Sequence, residues 1–225
     1  MSAPASPLET TVMFHVGPVP ITQPVVTTWI LMAVLVGVAA LSTRRLSLRP
    51  GRWQAVLEVV VHTLESQISE TIQAPGRTYL PLLGTLFLLV LTCNLSGLLP
   101  GVRAPTAHLE TTGALAAIIF LSVHVYGVRR KGLLGYLRGF AKPTVLMLPL
   151  NIVSEITRTV SLMIRLFGNI MSGEFIIAIV VSLAGLFVPI PLMALELLTG
   201  VIQAYIFTVL ATVFIGAAVG DIEGG

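Results

Sequence analysis

Residues 161–175, SLMIRLFGNIMSGEF, place the permanent positive charge of Arg165 inside a run of leucine, isoleucine, methionine and phenylalanine. The run belongs to an apolar segment, 145–188, which as one helix would be about 66 Å long, twice the ~30 Å hydrocarbon core of a bilayer. The segment therefore predicts two short spans or one steeply tilted helix. Insertion scales make an arginine at the centre of a span unfavourable by about 2.5 to 3.5 kcal/mol, so Arg165 is expected to face protein or water.

The first half of this segment carries several polar residues that a lipid-facing span would not tolerate. They are Asn151, Ser154, Glu155, Thr157, Arg158 and Arg165. Beyond the segment, Pro189-Ile190-Pro191 predicts a turn, and the apolar run 192–219 predicts a helix that returns beside the first. An acidic tail, Asp221-Ile222-Glu223, follows. The end of the chain is thus expected to form a long tilted hairpin.

The composition indicates an all-α membrane protein. The 225 residues are 55% hydrophobic and 10% charged, against about 25% charged in soluble domains, and the mean hydropathy is +0.95. Further spans are predicted over 25–41, 79–99 and 112–128, after an external N-terminal segment, 1–24. The single domain of 1–225 would then hold about five membrane-embedded helices. The lone Cys93 excludes an internal disulfide framework.

Lysine and arginine are distributed unequally between the two sides of these spans. Arg103 lies alone on one side. Ten residues lie on the other side: Arg44, Arg45, Arg49, Arg52, Arg77, Arg129, Arg130, Lys131, Arg138 and Lys142. By the positive-inside rule the ten mark the cytoplasmic side, with the N-terminus outside and the C-terminus cytoplasmic. The net charge of +3 then reflects topology, and no nucleic-acid partner is expected.

The segment between the first two spans, 53–73, has the pattern of an amphipathic helix. Its apolar stripe consists of Trp53, Leu57, Val60, Leu64, Ile68 and Ile72. Helices that bind lipid on their own usually carry Lys and Arg on the polar face, whereas this face carries Glu58, Glu65 and Glu70. A cytoplasmic surface helix docked on protein is therefore favoured over one held by lipid.

A negatively charged partner for Arg165 is not evident in the sequence. Glu174 is nine residues further on, which puts it on the opposite side of a regular helix and about 13.5 Å along the axis. Asn169 and Arg158 share the face of the arginine but supply no negative charge. The facing acid is therefore expected on another helix or another chain.

The returning helix offers Glu196 and Gln203, seven residues apart and hence on one stripe. In a tight hairpin Glu196 would face residues 180–185 of the preceding helix, and Gln203 would come closer to the depth of Glu174. Two interpretations of these charges remain: a structural ion-pair network, or an ion path whose counter-charge arrives on a partner. Intramembrane ionisable residues are usually functional, which favours the ion path.

Two other classes of function use similar residues. A secondary transporter or simple channel would employ the same charges without a second moving subunit. A membrane hydrolase is a weaker alternative because no Walker A loop, HExxH or GxSxG motif occurs.

The run SLMIRLFGNIMSGEF, together with ELLTGVIQAYIFTVLATVFIG at 196–216, resembles subunit a of the F-type ATP synthases. NLSGLLPG at 94–101, PLN at 149–151 and FHVGPVPITQPVVTTW at 14–29 extend the resemblance over nearly the whole chain, and the FHVGPVPIT lead is similar to bacterial members, including the variant complexes called N-type. The resemblance implies a stator subunit with two aqueous half-channels that pass H⁺ or Na⁺ to and from carboxylates of a rotating c-ring. It further implies b-type peripheral stalk subunits and the lipid bilayer as partners, a bacterial inner-membrane location, no cofactor, and no enzyme activity of the subunit alone.

The resemblance also assigns roles to individual residues. Arg165 matches the arginine that faces the c-ring carboxylates, and Asn169 matches its polar neighbour one turn on. Glu174 and Glu196 match the two ionisable positions of the outer half-channel, and Gln203 matches the glutamine opposite the arginine. Family members often carry one histidine and one carboxylate at the two ionisable positions, whereas this chain has two carboxylates.

Three further polar residues are candidates for the ion path. Glu155 and Arg158 lie three apart, which favours an ordinary intrahelical pair over a role in ion exit. Asn94, near the outer end of the second span, fits a channel entrance and helix packing equally well. The histidines outside the spans have no second ligand at metal spacing, so no metal site is expected; they are His15, His62 and His108.

Overall fold

The computed structural model of the protein describes residues 12–16, 19–44, 51–99, 102–140, 148–185 and 187–220. Within this part of the chain, a β-hairpin precedes six helices. The strands are β1 (Val12–Val16) and β2 (Val19–Thr22), and the helices are α1 (Gln23–Thr43), α2 (Arg52–Ile72), α3 (Leu80–Ser96), α4 (Leu109–Phe140), α5 (Leu148–Ala184) and α6 (Ile190–Gly220). Four helices, α1, α4, α5 and α6, are long and apolar enough to cross a membrane, and α3 is a shorter apolar helix. The prediction of an all-α membrane protein is confirmed.

Several features singled out in the sequence lie outside the described residues. They are residues 1–11 of the N-terminal segment, the start of the tilted segment at 145–147, the acidic tail at 221–223, Arg45, Arg49, Lys142, and the side chains of Trp53 and Arg138.

Proline and glycine set the limits of three helices. Pro24 and Pro81 stand in the first turns of α1 and α3, where the missing N–H of proline costs nothing. The helix α4 continues beyond the predicted span 112–128 because no helix breaker follows it until Gly132, where φ is 72° and the helix kinks. Beyond the kink the Tyr136 ring packs over Gly127, so the part of α4 after Gly132 folds back against the part before it.

The helix α6 lies at the centre of the fold, in contact with α2, α3, α4 and α5. Its buried side chains pack with those of α3 and α4 in one apolar core that includes Leu83, Leu86, Val90, Leu115, Ile119, Val123, Phe207, Ala211 and Ile215. By contrast α1 buries only Pro24, and α5 buries only Leu162, Leu166 and Ile170. The described residues therefore leave most of the apolar surface of α5 uncovered.

The helix α2 docks on α6 through the C-terminal half of its apolar stripe. Leu64, Ile68 and Ile72 are buried there, and the Tyr205 hydroxyl of α6 donates a hydrogen bond to Oε1 of Gln67. Leu57, in the N-terminal half, is 44% exposed. The prediction of a helix docked on protein is confirmed for the C-terminal half of α2.

The antiparallel pair of β1 and β2 was not foreseen in the N-terminal segment. Val16 pairs with Val19, and Val12 pairs with Thr22 across a bulge. At the end of β2, the Thr22 hydroxyl donates to Oε2 of Glu110 at 2.9 Å. This bond joins the hairpin to the first turn of α4.

The helices α5 and α6 form the predicted hairpin, but in a different register. The chain turns through Gly185, with φ at 78°, and through the buried Pro189. Leu183 and Phe187 remain 82% and 83% exposed, so the end of α5 overhangs the start of α6. Glu196 consequently contacts α5 at Gly173, and the expectation that it faces residues 180–185 is wrong.

Candidate functional site

Arg165 lies on α5 at the boundary between two stripes of the helix. On one side is the buried stripe of Leu162 and Leu166, and on the other is an exposed apolar stripe that includes Val160 and Ile164. The Arg165 side chain is itself exposed. Within the described residues it has no carboxylate at ion-pairing distance, and neither the Arg77–Glu65 pair nor the Arg158–Glu155 pair includes it.

A cavity of about 320 Å³ opens beside Arg165 between α5 and α6. It is lined by Ser154, Thr157, Arg158, Ser161, Leu162, Arg165, Leu210 and Phe214. From Arg165 it runs toward the start of α5, a distance of about 16 Å by helix rise. Apolar atoms form most of its lining, but the hydroxyl and guanidinium groups along it can bind water, and its volume is large enough to hold water molecules.

Arg158 forms part of the wall of this cavity. Its Nη1 lies 3.7 Å from Oε2 of Glu155, and its guanidinium carbon lies 5.7 Å from the centroid of the Phe214 ring. The intrahelical ion pair predicted from the three-residue spacing of Glu155 and Arg158 is therefore present. An ion pair and a cation–π contact on an exposed side chain orient it more than they stabilise the fold.

Glu174 and Glu196 come together on the other side of Arg165. The carboxyl group of Glu196 lies so close to Gly173 that a Cβ added there would be 2.7 Å from its Oε1 and 2.9 Å from its Cδ. Glu174 is the next residue of α5, and its carboxylate is close enough to that of Glu196 for the two to interact electrostatically. Both side chains are partly buried, and Oε1 of Glu174 accepts a hydrogen bond from the main-chain N–H of Ala104 at 2.9 Å.

Gln203 lies on α6 near the depth of Arg165. The Arg158–Phe214 and Gly173–Glu196 contacts fix the antiparallel register, and by counting residues between them Gln203 falls level with residues 166–169 of α5. This depth differs from the expected one, which was nearer Glu174. Gln203 is 6% exposed, and its buried Nε2 has no hydrogen-bond partner within the part of the chain that the structure describes.

A half-buried Asn169 follows Arg165 by one turn on the same stripe of α5. With Arg165 and Gln203 it forms a polar level in an otherwise apolar hairpin. The structure thus brings together Arg165, Asn169 and Gln203 at one depth and Glu174 with Glu196 at another.

Asn94 is buried and both ends of its amide are bonded. Its Nδ2 donates to the Gly200 carbonyl at 2.9 Å, and its Oδ1 accepts from the Thr106 hydroxyl at 2.8 Å. These bonds join α3 to α6 and to the segment before α4. Asn94 therefore acts as a packing residue in this structure, next to the carboxylate pair.

Sequence reasoning missed the residues that surround Glu174 and Glu196. Ala104 acts through its main-chain N–H, for which no side-chain pattern exists. The absence of a side chain at three glycines lets neighbouring atoms approach closely, and a glycine in a sequence does not reveal which atoms approach it. These glycines are Gly97, Gly173 and Gly200. As for metals, the described residues contain no group of three or more His, Cys, Asp and Glu side chains that could hold an ion.

Comparison with known proteins identifies the family to which the chain is similar. The family model described as ATP synthase A chain matches residues 25–216. The chain is 63% identical over 221 residues to ATP synthase subunit a 2 of Bradyrhizobium sp., which covers 98% of this chain and 99% of that protein. It is 47% identical over 211 residues to ATP synthase subunit a 1 of Hahella chejuensis, covering 94% and 90% of the two chains. It is 48% identical over 193 residues to ATP synthase subunit a 2 of Picosynechococcus sp., covering 85% and 83%.

These matches run through the helices that carry Arg165, Glu174, Glu196 and Gln203. A multi-pass membrane protein with this architecture and these relatives belongs to the ATP synthase A chain family, whose members are subunit a of the multi-subunit ATP synthase.

Proposed function

We propose that this chain is the stator ion-channel subunit of the membrane sector, with two half-channels that meet at Arg165. One observation carries the proposal. Arg165 is exposed and lacks a carboxylate partner in the described chain, and it lies between a pair of carboxylates and a cavity whose lining includes hydroxyl and guanidinium groups. An unpaired cation at this depth of a membrane span is costly unless something outside the chain answers its charge.

The answering charge is a carboxylate of a rotating c-ring that packs on α5. The exposed apolar stripe of α5, which includes Val153, Val160 and Ile164 at 60%, 40% and 55% exposure, forms the contact surface. Arg165 borders this stripe. A ring helix that lies on it therefore brings its carboxylate within reach of the guanidinium, and b-type peripheral stalk subunits hold the chain fixed while the ring turns.

The two half-channels lead to different ends of the hairpin. One is the cavity that runs from Arg165 past Ser161 and Ser154 toward the start of α5. The other begins at Glu174 and Glu196, about 13.5 Å from Arg165 along α5. Two neighbouring carboxylates repel each other when both are ionised, so such a pair suits the uptake and onward transfer of a cation.

Rotation follows from the cost of moving a charge into lipid. A ring carboxylate is ionised beside Arg165, takes up H⁺ or Na⁺ from one half-channel, and only in the neutral form leaves for the lipid. On its return it gives the ion to the other half-channel, because the guanidinium cannot lose its own proton and favours the anion. Arg165 also blocks direct passage of cations between the two half-channels.

The distribution of Lys and Arg supports an orientation with the N-terminus outside and the C-terminus cytoplasmic. In that orientation Glu174 and Glu196 belong to the half-channel that opens outside, in the bacterial inner membrane. The cavity lined by Ser154 and Arg158 then opens to the cytoplasm.

The test is Arg165→Gln in the whole ATP synthase, assayed in inverted membrane vesicles. We expect the complex to assemble and hydrolyse ATP, but ATP-driven uptake of H⁺ or Na⁺ to fall to background, since the ring carboxylate loses its fixed counter-charge. Arg129→Gln, which removes an exposed arginine near the kink of α4, is the matched control and is expected to pump normally. Normal uptake by Arg165→Gln would refute the proposal.

A further inference from the structure

The segment that leads into α4, residues 102–108, is packed as tightly as a core element. Ala104 and Thr106 are fully buried at 0% exposure, and Pro105 is buried beside them. A 3₁₀ turn, Pro105–Ala107, closes the segment, with the Ala107 N–H donating to the Ala104 carbonyl at 2.9 Å. The main chain of the segment is therefore held in one conformation.

Asn94 links this segment to two transmembrane helices. Its amide accepts from Thr106 at 2.8 Å and donates to Gly200 of α6 at 2.9 Å. The approach needs a glycine at position 200, where an added Cβ would be 3.3 Å from the Asn94 Cβ. The depth of the 102–108 segment relative to α6 is thus fixed by buried hydrogen bonds.

The same segment presents one donor to the carboxylate pair. The Ala104 N–H donates to Oε1 of Glu174 at 2.9 Å, between residues 70 apart in the chain. An added Cβ at Gly97 would be 3.1 Å from the Ala104 Cβ and 3.6 Å from the same Oε1, so the contact is enclosed on that side. For Oε2 of Glu174 the structure records no donor within the described residues, which leaves that oxygen for the exchange of an ion.

We propose that the main-chain N–H of Ala104, held in place by Asn94 and Thr106, positions Glu174 by binding its anionic form through one oxygen, and that this sets the pH range in which the outer half-channel conducts. The inference rests on the proposed function and adds a positioning group to it. A main-chain N–H only donates, and a carboxylate accepts more strongly when ionised. The donor therefore favours release of a cation from Glu174 over its retention.

Other charged groups around Glu174 are few among the described residues. Arg103 lies on the 102–108 segment, and Glu196 faces Glu174 from α6. On α4 the nearest acid in sequence is Glu110, whose Oε2 is bonded to Thr22. Burial, reinforced by Arg103, lowers the pKa of His108, so this side chain adds little positive charge at neutral pH. The fixed N–H is the one donor bonded to the carboxylate itself within the described residues.

The decisive variant is Ala104→Pro, because it replaces the N–H with the ring carbon Cδ, which cannot donate a hydrogen bond and displaces Oε1 of Glu174 from its place 2.9 Å from the nitrogen. The φ angle of Ala104 is −61°, which suits proline, and its ψ of 125° suits a residue that precedes Pro105. The readout is ATP-driven ion uptake by the whole complex in inverted vesicles as a function of pH. We expect the profile to move upward by about one pH unit, since a hydrogen bond to a charged group shifts its protonation by about that amount.

Ala104→Gly keeps the donor and is expected to keep the wild-type midpoint of the profile, which separates the N–H from the buried methyl group. If Ala104→Pro does not assemble, Thr106→Val decides: it frees the segment from Asn94 and should move the midpoint in the same direction by a smaller amount. A wild-type midpoint in Ala104→Pro, or in Thr106→Val where that variant decides, would overturn the inference. The proposed function would stand in that case, because it fails only if Arg165→Gln pumps normally.

Discussion

Replacing Gly173 by alanine tests whether the space at this position sets the place of the Glu196 carboxylate. The added Cβ would be 2.7 Å from Oε1, 2.9 Å from Cδ and 3.3 Å from Cγ of Glu196, whereas ordinary contact begins at 3.4 Å. The carboxyl group must therefore move by about 0.7 Å or more, the difference between 3.4 and 2.7 Å. The carboxyl group is the flexible end of the Glu196 side chain, so it can rotate away from the added methyl group. The helices are therefore expected to keep their packing.

The expected result is a loss of rate without a loss of assembly. A displacement near 1 Å between reacting groups can slow transfer by about 100-fold, so we expect ion uptake by Gly173→Ala to be roughly 10- to 100-fold slower. Uptake is measured in inverted vesicles that contain the whole complex, with ATP hydrolysis and the amount of subunit a determined in the same vesicles.

A double variant separates displacement of Glu196 from general damage to α5. Asp at position 196 is shorter by one methylene and withdraws from the new methyl group, so Gly173→Ala with Glu196→Asp should pump faster than Gly173→Ala alone. Gly37→Ala, at a helical glycine of α1 with nothing within 4 Å of an added Cβ, is the control and should pump normally. Wild-type uptake by Gly173→Ala would show that the carboxylate does not work in the position described here.

Two further predictions concern buried polar side chains. Gln203→Met keeps the volume of the side chain and removes Nε2, which has no hydrogen-bond partner among the described residues. We expect the complex to be more stable to heat by about 1 kcal/mol yet slower in ion uptake. Equal or lower stability would show that Nε2 is satisfied by a group outside the described residues. Burial first, and then Arg103, lowers the pKa of His108 from its ordinary 6.5, whereas Glu110 opposes the shift. The contribution of neutral His108 to the free energy of unfolding is therefore complete above pH 6.5 and is lost as the pH falls below that value. Hydrogen exchange of the main-chain amides in residues 102–108 should accordingly become faster on acidification. The increase should be smaller in His108→Gln.

The sequence predicts the helices of this protein well because each span is a run of at least 17 mostly apolar residues. Arg165 could be singled out as a candidate site residue because the free energy of placing an arginine in lipid is large enough to need an explanation. The depth of Glu196 could not be predicted. It depends on the conformation of the five residues between α5 and α6. The exposed end of the hairpin at Leu183 and Phe187 results from how the two helices pack, which the amino-acid composition does not reveal.

The surroundings of the carboxylate pair were hidden for a different reason. The contact from Ala104 to Glu174 is made by the main chain, so the identity of the side chain at position 104 carries no signal of it. For Asn94 the sequence left two alternatives, a channel entrance and helix packing, because an amide near the end of a helix can bind water or another helix equally well. Its bonds to Thr106 and Gly200 decide between them.

The position of Arg165 at the edge of a stripe would, in the proposed function, allow one arginine to serve both a ring and two half-channels. If it pointed into the middle of the exposed stripe of α5, a packed ring helix would bury it away from the cavity at Ser161. If it pointed toward Leu162 and Leu166, it would be enclosed by α6 and out of reach of the ring. At the boundary, Arg165 has the exposed stripe of α5 on one side and the 320 Å³ cavity on the other, so a ring carboxylate bound to it as proposed would stay within reach of water.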